Sequence, residues 1–232
     1  MRVLGIVPAR GGSKAIPQKN LRVVAGRPLL AYTADAVRES RRLDRVVLST
    51  DDPAIADAGR AVGLDAPFLR PASLAADDTP MMPVLRHAVE AMAARGFDAD
   101  AVVLLQPTSP LRRGAHIDAA IDLLERSGAD TVVSVVEVPH QFTPGSLMRM
   151  EGERLRRFEE GAVVTRRQDK PRLYARNGPA VLACRTRVLD AASFYEGECR
   201  PLVMDPLESI DIDGPADLEL VEFVLSRRSA AR

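Results

Sequence analysis

Short apolar runs alternate with longer segments of helical periodicity along the first part of the chain, up to residue 138. Runs of roughly four to eight apolar residues predict buried strands, whereas longer segments with apolar positions three or four residues apart predict helices. The predicted strands are Val3–Pro8, Arg45–Ser49, Ala66–Leu69, Ala101–Gln106 and Thr131–Val138. The predicted helices are Pro28–Glu39, Pro53–Val62, Met81–Ala94 and Ala115–Arg126.

This alternation predicts an α/β fold. Strands that are separated by helices form a mostly parallel sheet with helices on both faces, which is a Rossmann-like three-layer arrangement. Ligands of such sheets bind outside the carboxyl ends of the strands. The polar loops that follow Pro8 and Leu105 both fall at that edge, so we expect them to contribute to one site.

The regular pattern breaks between Pro139 and Arg176. Prolines and glycines interrupt this stretch, and its second half is dense in charge. Structureless connections of this length are uncommon in a compact domain unless they carry function. We therefore predict one domain over residues 1–232, with residues 139–176 inserted as an arm that carries function or assembly contacts. Beyond the arm, the pattern predicts strands at Ala180–Ala183, Leu202–Met204 and Ser209–Ile212, and a last helix at Pro215–Leu225.

Charge and cysteine content exclude several classes of protein. The chain has 32 basic and 32 acidic residues, and this zero net charge argues against nucleic acid or an anionic membrane as a partner. No apolar run approaches the roughly 18 residues of a membrane span, and no signal peptide is recognisable. Cys184 and Cys199 lack metal-type spacing and indicate reduced thiols, so we expect a cytoplasmic protein.

The loop after the first predicted strand has the chemistry of a phosphate-binding turn. Two adjacent glycines let an anion approach backbone N–H groups, and three basic side chains nearby offer positive charge. Neither the Walker pattern nor the dinucleotide G-x-G-x-x-G pattern is present. An ordinary glycine turn with solvated lysines is the alternative. The residues in question are Ala9, Arg10, Gly11, Gly12, Ser13, Lys14, Lys19 and Asn20.

The second loop, Gln106–Arg112, combines polar side chains with two prolines. The prolines restrict the backbone and so reduce the entropy that is lost when a ligand binds. Gln106 can both donate and accept hydrogen bonds, which suits a ribose or sugar hydroxyl. Arg112 can pair with a phosphate or a carboxylate. A rigid turn followed by a helix cap would explain the same residues without a ligand.

A third candidate site lies in Ser209–Asp213, where polar and apolar residues alternate and predict a strand. Because the side chains of a strand alternate between its faces, the two isoleucines would face the core, while Asp211 and Asp213 share the other face. Two carboxylates about 6–7 Å apart along a strand can share a hard cation such as Mg²⁺ through oxygen atoms or water. The alternative is a sheet edge with two solvated acids.

Two arginine-rich segments, Arg166–Pro171 and Arg176–Gly178, are candidates for binding an acidic ligand. Arginine suits a carboxylate because its planar guanidinium can form two parallel hydrogen bonds. A solvated charged loop would have the same composition. A further polar segment, Arg70–Thr79, follows the third predicted strand.

Four segments, in the same order along the chain, resemble the signatures of the CMP-N-acylneuraminate (CMP-sialic acid) synthetases. Ile6–Asn20 is similar to their A-R-x-G-S-K signature with the K-N pair that follows it, and Leu105–Arg112 is similar to their L-Q-P-T-S-P-L-R run. Arg166–Pro171, with Asn177 and the glycine after it, resembles their third region. Ser209–Asp213 resembles their S-I-D-I-D segment.

The resemblance implies a nucleotidyltransferase-type fold and a defined reaction. CMP would pass from CTP to the anomeric hydroxyl of a nonulosonic (sialic-type) acid, which is an acidic nine-carbon sugar, and pyrophosphate would leave, with Mg²⁺ as the cofactor. The family's domain-swapped dimers imply a homodimer through residues 139–176. Two alternatives stay open. One is a related nucleotidyltransferase for an eight-carbon (Kdo-type) acid sugar or another small acid acceptor, and the other is a nucleotide-sensing protein without turnover.

The resemblance also implies a role for each motif residue, including an R-P-x-x-L-A pattern that begins at Arg70 and lies beside the nucleotide in the family. Catalytic roles fall to Arg10, Lys14, Lys19 and Asp211, and the metal would lie at Asp211 and Asp213. Nucleotide contacts are expected from Ala9, Arg10, Gly11, Gly12, Ser13, Asn20, Arg70, Thr79 and Gln106. Sugar contacts are expected from Gln106, Thr108, Ser109, Arg112, Arg167, Arg176 and Asn177.

Overall fold

The computed structural model describes residues 1–12, 16–158, 166 and 170–230, which form an α/β domain around one large sheet. The strands are β1 (Val3–Pro8), β2 (Val23–Val24), β3 (Arg27–Pro28), β4 (Arg45–Ser49), β5 (Ala101–Leu104), β6 (Thr131–Glu137), β7 (Met148–Glu151), β8 (Arg154–Arg157), β9 (Tyr174–Arg176), β10 (Leu182–Arg185) and β11 (Cys199–Val203). The α-helices are α1 (Leu29–Glu39), α2 (Pro53–Ala61), α3 (Met81–Ala93), α4 (Gly114–Ser127) and α5 (Pro215–Ala230). Short 3-10 helices lie at Lys19–Leu21, Ala72–Leu74, His140–Phe142, Pro144–Ser146, Thr186–Asp190 and Pro206–Ser209.

The main sheet has the strand order β11-β6-β10-β5-β1-β4, and β9 pairs with the carboxyl-terminal end of β6. β1 runs parallel to β4 and β5, and β11 runs parallel to β6. β10 is antiparallel to both β5 and β6, so β5 and β6 point the same way. The predicted Rossmann-like, mostly parallel sheet is therefore confirmed, with β9 and β10 as its antiparallel strands.

Helices cover both faces of the sheet, and β1 shows why its sequence is apolar throughout. Val3 and Val7 pack in the cluster formed with α1, α2 and α4. Leu4 and Ile6 pack in the cluster formed with α3 on the opposite face. A strand that is buried on both faces is apolar throughout instead of alternating, and all six residues of β1 are buried.

The strand predicted at Ala66–Leu69 does not form. The chain makes only an isolated bridge there, between Val47 and Asp65. Pro67 has no N–H for a ladder hydrogen bond, and Leu69 is 52% exposed. The apolar run is therefore a loop that passes over the sheet edge.

The last helix, α5, covers the end of the sheet at which the polar loops lie. It runs beyond the predicted Leu225 to Ala230, and its Val221 packs with the fully buried Ile212 and with Leu111. This third apolar cluster anchors the segment that carries the two candidate metal ligands. In the part of the chain that the structure describes, no helix is long and apolar enough to cross a membrane.

The stretch predicted as an inserted arm contains both exposed and sheet-bound elements. β7 and β8 form an antiparallel hairpin apart from the main sheet, and every residue of both strands is exposed. β9 pairs antiparallel with β6, so the chain rejoins the main sheet before residue 176.

Candidate active site

The glycine loop leaves the carboxyl end of β1 and is held by two acids that follow β4. The backbone N–H of Gly11 donates to Asp51 Oδ1 at 3.1 Å. A Cβ atom on Gly11 would lie 2.8 Å from Asp52 Oδ2, so a side chain there would force Asp52 to move, whereas the same position on Gly12 meets nothing within 4 Å. Packing against Asp52 therefore favours glycine at position 11, and Gly12 faces open space. The predicted contacts of Ser13 and Lys14 lie outside the described residues.

Two side chains tie the glycine loop to the rest of the edge. Asn20 Nδ2 donates to the carbonyl oxygen of Arg10 at 3.1 Å, which fixes the start of the loop. Lys19 Nζ donates to the carbonyl oxygen of Ile212 at 2.8 Å. Since Ile212 lies between Asp211 and Asp213, the basic loop and the acid pair meet at one place.

The segment around the acid pair is extended, but the strand predicted at Ser209–Ile212 does not form. Its backbone bonds to a loop instead of to a strand, since the N–H of Ile212 donates to the carbonyl oxygen of Thr108 at 2.8 Å. Ser109 Oγ donates to Asp211 Oδ1 at 3.2 Å. The polar loop after β5 therefore positions Asp211, while Asp213 is exposed.

Burial raises the pKa of Asp211, and the charge of Asp213 raises it further. Hydrogen bonds from Thr108 and Ser109 and the charge of Lys19 act in the opposite direction but do not cancel the effect of burial. An ionised Asp211 is therefore undercompensated by the protein, and a bound cation would stabilise it. The described residues hold no cluster of three or more acidic, histidine or cysteine side chains that could bind a metal. Two carboxylates fit a Mg²⁺ ion only if substrate oxygens and water complete its shell.

A cavity of about 190 Å³ lies beside these groups. Its lining combines three basic side chains with polar and apolar ones, namely Pro8, Arg10, Lys19, Asn20, Arg70, Met81, Gln106, Pro107 and Thr108. Five of the residues predicted to bind nucleotide or phosphate are thus brought together: Arg10, Lys19, Asn20, Arg70 and Gln106. Thr79 does not line the cavity, and Ala9 is buried with its N–H bonded to Ser49.

Arg70 lines this cavity, but its side chain is almost wholly buried. Its side chain is 3% exposed, and burial lowers its pKa. Nη2 lies 3.5 Å from Asp51 Oδ1, and neither Nε nor Nη2 has a hydrogen-bond partner within the described part of the chain. Buried polar groups usually have a partner, so the guanidinium of Arg70 depends on its ion pair with Asp51 and is incompletely hydrogen-bonded by the described residues.

Arg112 has a different role from the sugar contact that was predicted. It is 3% exposed, and Nη1 donates to the carbonyl oxygens of Gln106 and Ala180, at 3.1 and 2.8 Å. Nη2 donates to Thr33 Oγ1 at 2.9 Å, and burial lowers the pKa of Arg112 to about 10. In this structure Arg112 is a buried support for the loop after β5, with its guanidinium bonded to the protein itself.

The residues predicted to bind the sugar are only partly assembled. Asn177 is buried and accepts a hydrogen bond from Ser134 Oγ at 2.7 Å. The next residue, Gly178, has a φ of +105°, and a Cβ atom there would lie 2.9 Å from Asp211 Cγ. This turn therefore touches the acid pair directly. Arg176 is exposed and stacks over the Tyr195 ring at 4.5 Å, and Arg167 lies outside the described residues.

Two residues that contact the candidate site residues, Asp51 and Tyr195, are not indicated by any motif. Asp51 follows the carboxyl end of a parallel strand, as Arg10 does, and this position alone could have indicated a place at the ligand-binding edge. Tyr195 lies in a loop without a recognisable pattern, so nothing in the sequence singled it out.

The family model for cytidylyltransferases matches residues 4–222. This chain belongs to the cytidylyltransferase family. The resemblance that the motifs indicated is thereby confirmed, and the basic loop and acid pair lie in the matched part of the chain.

Relatives within the family carry names of one kind. The chain is 32% identical to the CMP-N,N'-diacetyllegionaminic acid synthase of Legionella pneumophila, over 100% of this chain and 99% of that protein. It is 27% identical to the pseudaminic acid cytidylyltransferase of Campylobacter jejuni, over 97% of this chain and 96% of that protein. It is 28% identical to the N-acylneuraminate cytidylyltransferase of Escherichia coli O18:K1:H7, over 98% of this chain but only 53% of that longer protein.

Solved structures show the same fold. A CMP:2-keto-3-deoxy-manno-octonic acid synthetase complexed with CTP superposes with a TM-score of 0.72 at 17% identity, over 98% of this chain and 100% of that one. The 2-C-methyl-D-erythritol 4-phosphate cytidylyltransferase of Thermus thermophilus superposes with a TM-score of 0.63 at 19% identity, over 97% of this chain and 100% of that one. The Rossmann-like nucleotidyltransferase fold is thus confirmed.

Proposed function

We propose that this protein transfers CMP from CTP to the anomeric hydroxyl of a nonulosonic acid and releases pyrophosphate. One observation carries the proposal: Lys19 of the glycine loop donates to the carbonyl oxygen between Asp211 and Asp213. Cationic groups for a triphosphate and acids for its metal therefore converge at one end of the sheet. The names of the relatives, which act on legionaminic, pseudaminic and N-acylneuraminic acids, support the acceptor class.

The reaction needs positioning and charge stabilisation rather than a nucleophile from the protein. The anomeric oxygen of the acid forms a bond to the α-phosphorus, the bond from that phosphorus to the β-phosphate oxygen breaks, and the hydroxyl proton leaves to solvent. Arg10 and Lys19 would hold the phosphates, with Ser13 and Lys14 expected to add to them. Asn20, Arg70 and Gln106 would position the nucleoside, since all three line the cavity.

Asp211 and Asp213 would hold Mg²⁺. The raised pKa of Asp211 and its half-buried position favour a cation at that carboxylate. Mg²⁺ commonly binds through one or two carboxylates, substrate phosphates and water, which matches a donor set of two acids. A metal there would neutralise phosphate charge and polarise the attacking hydroxyl.

The acceptor half of the site would be completed by a second copy of the chain. The contact of Gly178 with Asp211 brings the Arg176–Gly178 turn beside the acid pair, which favours this side for the sugar. Arg176 would pair with the sugar carboxylate. The β7–β8 hairpin exposes large apolar side chains, including Met150 at 75% and Leu155 at 62%, and a homodimer through residues 139–176 would cover them.

An assay of pyrophosphate release with CTP and Mg²⁺ tests the proposal. The panel of acceptors should contain N-acetylneuraminic, legionaminic and pseudaminic acids, an eight-carbon Kdo-type acid and a blank without acceptor. Release that depends on a nine-carbon acid is the expected result. Release with the eight-carbon acid alone would favour the related Kdo-type enzyme, which only the similarity of fold supports. CTP binding without release in any mixture would indicate a nucleotide sensor.

A further inference from the structure

The guanidinium of Arg10, which lines the cavity, already has an anionic partner within the protein. Arg10 Nη1 lies 2.5 Å from Asp77 Oδ1, and both side chains are partly exposed, at 34% and 41%. Asp77 belongs to the loop that follows Arg70 and precedes α3. The ion pair thus joins the glycine loop to the loop on the other side of the cavity.

A carboxylate on Arg10 competes with a phosphate for the same N–H groups. Both anions form charge-assisted hydrogen bonds with a guanidinium, and both favour the same planar arrangement. A triphosphate that binds Arg10 must therefore displace Asp77 or bind beside its negative charge. Either event costs affinity in proportion to the strength of the internal pair.

We infer that Asp77 is an internal competitor of the nucleotide's phosphates for Arg10 and thereby sets the affinity of the site for CTP. The inference rests on the proposed function, since it assumes that Arg10 meets the triphosphate. Asp77 is an affinity-determining residue outside the cavity lining: its carboxylate holds Arg10 while the site is empty and releases it when phosphate arrives.

Asp77→Asn is the variant that tests this role, because it keeps the size of the side chain and removes its charge. Asp78→Asn is the matched control, since it removes the same charge one residue along the chain, where the structure shows no ion pair with Arg10. The measurement is the dissociation constant of Mg²⁺-CTP by titration calorimetry, without acceptor, at low and at high salt. Thermal unfolding of each variant checks that the fold is intact.

The expected result is a CTP dissociation constant about two- to fivefold lower in Asp77→Asn, because partly exposed ion pairs contribute up to about 1 kcal/mol. The gain should be smaller at high salt, which screens such pairs. Asp78→Asn should change the CTP dissociation constant by less than about twofold. In an Arg10→Ala background, the gain from Asp77→Asn should shrink to that of Asp78→Asn.

Three outcomes would overturn the inference while the wild-type protein binds CTP. The first is an unchanged CTP dissociation constant in Asp77→Asn. The second is weaker CTP binding in Asp77→Asn, which would make Asp77 a support that orients Arg10. The third is an equal gain of affinity in Asp78→Asn, which would reflect overall charge. If the wild-type protein does not bind CTP in the same titration, the proposed function itself fails, and the two failures are thereby told apart.

Discussion

The edge of the sheet that carries the glycine loop and the hairpin of the arm are built in opposite ways. At the edge, separate segments are joined by hydrogen bonds: Asn20 to the Arg10 carbonyl, Lys19 to the Ile212 carbonyl, and the Ile212 N–H to Thr108. In the hairpin, all residues of β7 and β8 are exposed, and their apolar side chains face solvent.

This difference agrees with the proposal that the nucleotide half of the site lies within one chain, whereas the acceptor half is completed by a second copy. Buried and hydrogen-bonded polar groups hold their geometry before a ligand arrives, which suits charge stabilisation of a phosphate. Large exposed apolar patches commonly mark interaction sites, which agrees with the proposed role of the hairpin in the dimer. We therefore expect changes at the edge to affect CTP and turnover, and changes in the arm to affect assembly and the acid acceptor.

The largest effect should come from Asp211→Asn, which tests whether the edge carries the chemistry. Loss of a carboxylate that holds the metal should lower turnover by at least about 100-fold, since metal stabilisation of the transition state amounts to several kcal/mol. The CTP dissociation constant should change far less. Steady-state kinetics and calorimetry measure both, with Glu219→Gln, an exposed acid on α5, as the control. Normal turnover in Asp211→Asn would contradict the metal assignment.

The same variant should not lose stability. Burial raises the pKa of Asp211 in the folded protein, so the stability that its protonated form contributes is present below the ordinary value of 3.8 and is lost as the pH rises through the folded-state pKa. At pH 7 the ionised group therefore opposes folding, and Asn removes that cost. The Tm of Asp211→Asn at pH 7 should equal or exceed that of the wild type, and the difference should narrow towards pH 3.8. A clearly lower Tm at pH 7 would contradict this account.

Lys19→Met should weaken CTP binding by about one to two orders of magnitude, because a charge-assisted hydrogen bond contributes roughly 1.5–3 kcal/mol. Arg22→Met is a suitable control, since Arg22 is exposed near the same loop but does not line the cavity. Calorimetric titration with Mg²⁺-CTP measures the effect. An equal loss of CTP affinity in both variants would mean that Lys19 acts only through non-specific electrostatic attraction.

Met150→Glu should separate the two regions by breaking the proposed dimer. A charge placed at an apolar interface position weakens association by about ten- to thirtyfold or more, since central interface residues contribute about 2 kcal/mol. Light scattering over a concentration series should show monomers, which still bind CTP but have a raised KM for the acid. Leu220→Glu is the control, because Leu220 is also an exposed apolar residue but lies on α5, outside the arm. A wild-type protein that is monomeric and fully active would refute the assembly.

The smallest effect should follow from Tyr195→Ala, which removes the ring on which Arg176 stacks. A cation–π contact at an exposed site contributes about 0.5–1 kcal/mol, so the acceptor KM should rise about two- to fivefold while the CTP KM stays the same. Phe223→Ala removes a comparable stack with Arg227 on α5 and should leave both constants unchanged. A larger change in the CTP KM than in the acceptor KM would place Tyr195 on the nucleotide side.

Sequence patterns predicted those parts of the molecule that depend on burial alone. β1 and β4 have the predicted bounds, because a run of apolar residues in a two-sided core leaves few alternatives. The acid-pair segment was not a strand, because Ile212 bonds to Thr108 across the fold, and no local pattern reports such a bond.

The sequence predicted the chemistry of the candidate site, but it did not predict how far each side chain is buried. Arg10, Lys19 and Arg70 do meet at one cavity, as the family resemblance implied. Arg112 shows the opposite case, since the same residue type in a polar motif serves as a buried brace. A motif indicates which residues belong together, whereas burial decides which of them face a ligand.

The hydrogen bond from Lys19 to the Ile212 carbonyl determines when the lysine side chain loses its conformational freedom. A flexible lysine side chain loses up to about 2 kcal/mol of rotamer freedom when it is fixed in place. Here that loss occurs during folding, so an arriving phosphate meets an ammonium group that is already oriented. A carbonyl oxygen is also neutral, and it holds the group without cancelling its charge. The protein thus keeps a positioned ammonium group beside the acid pair before any ligand binds.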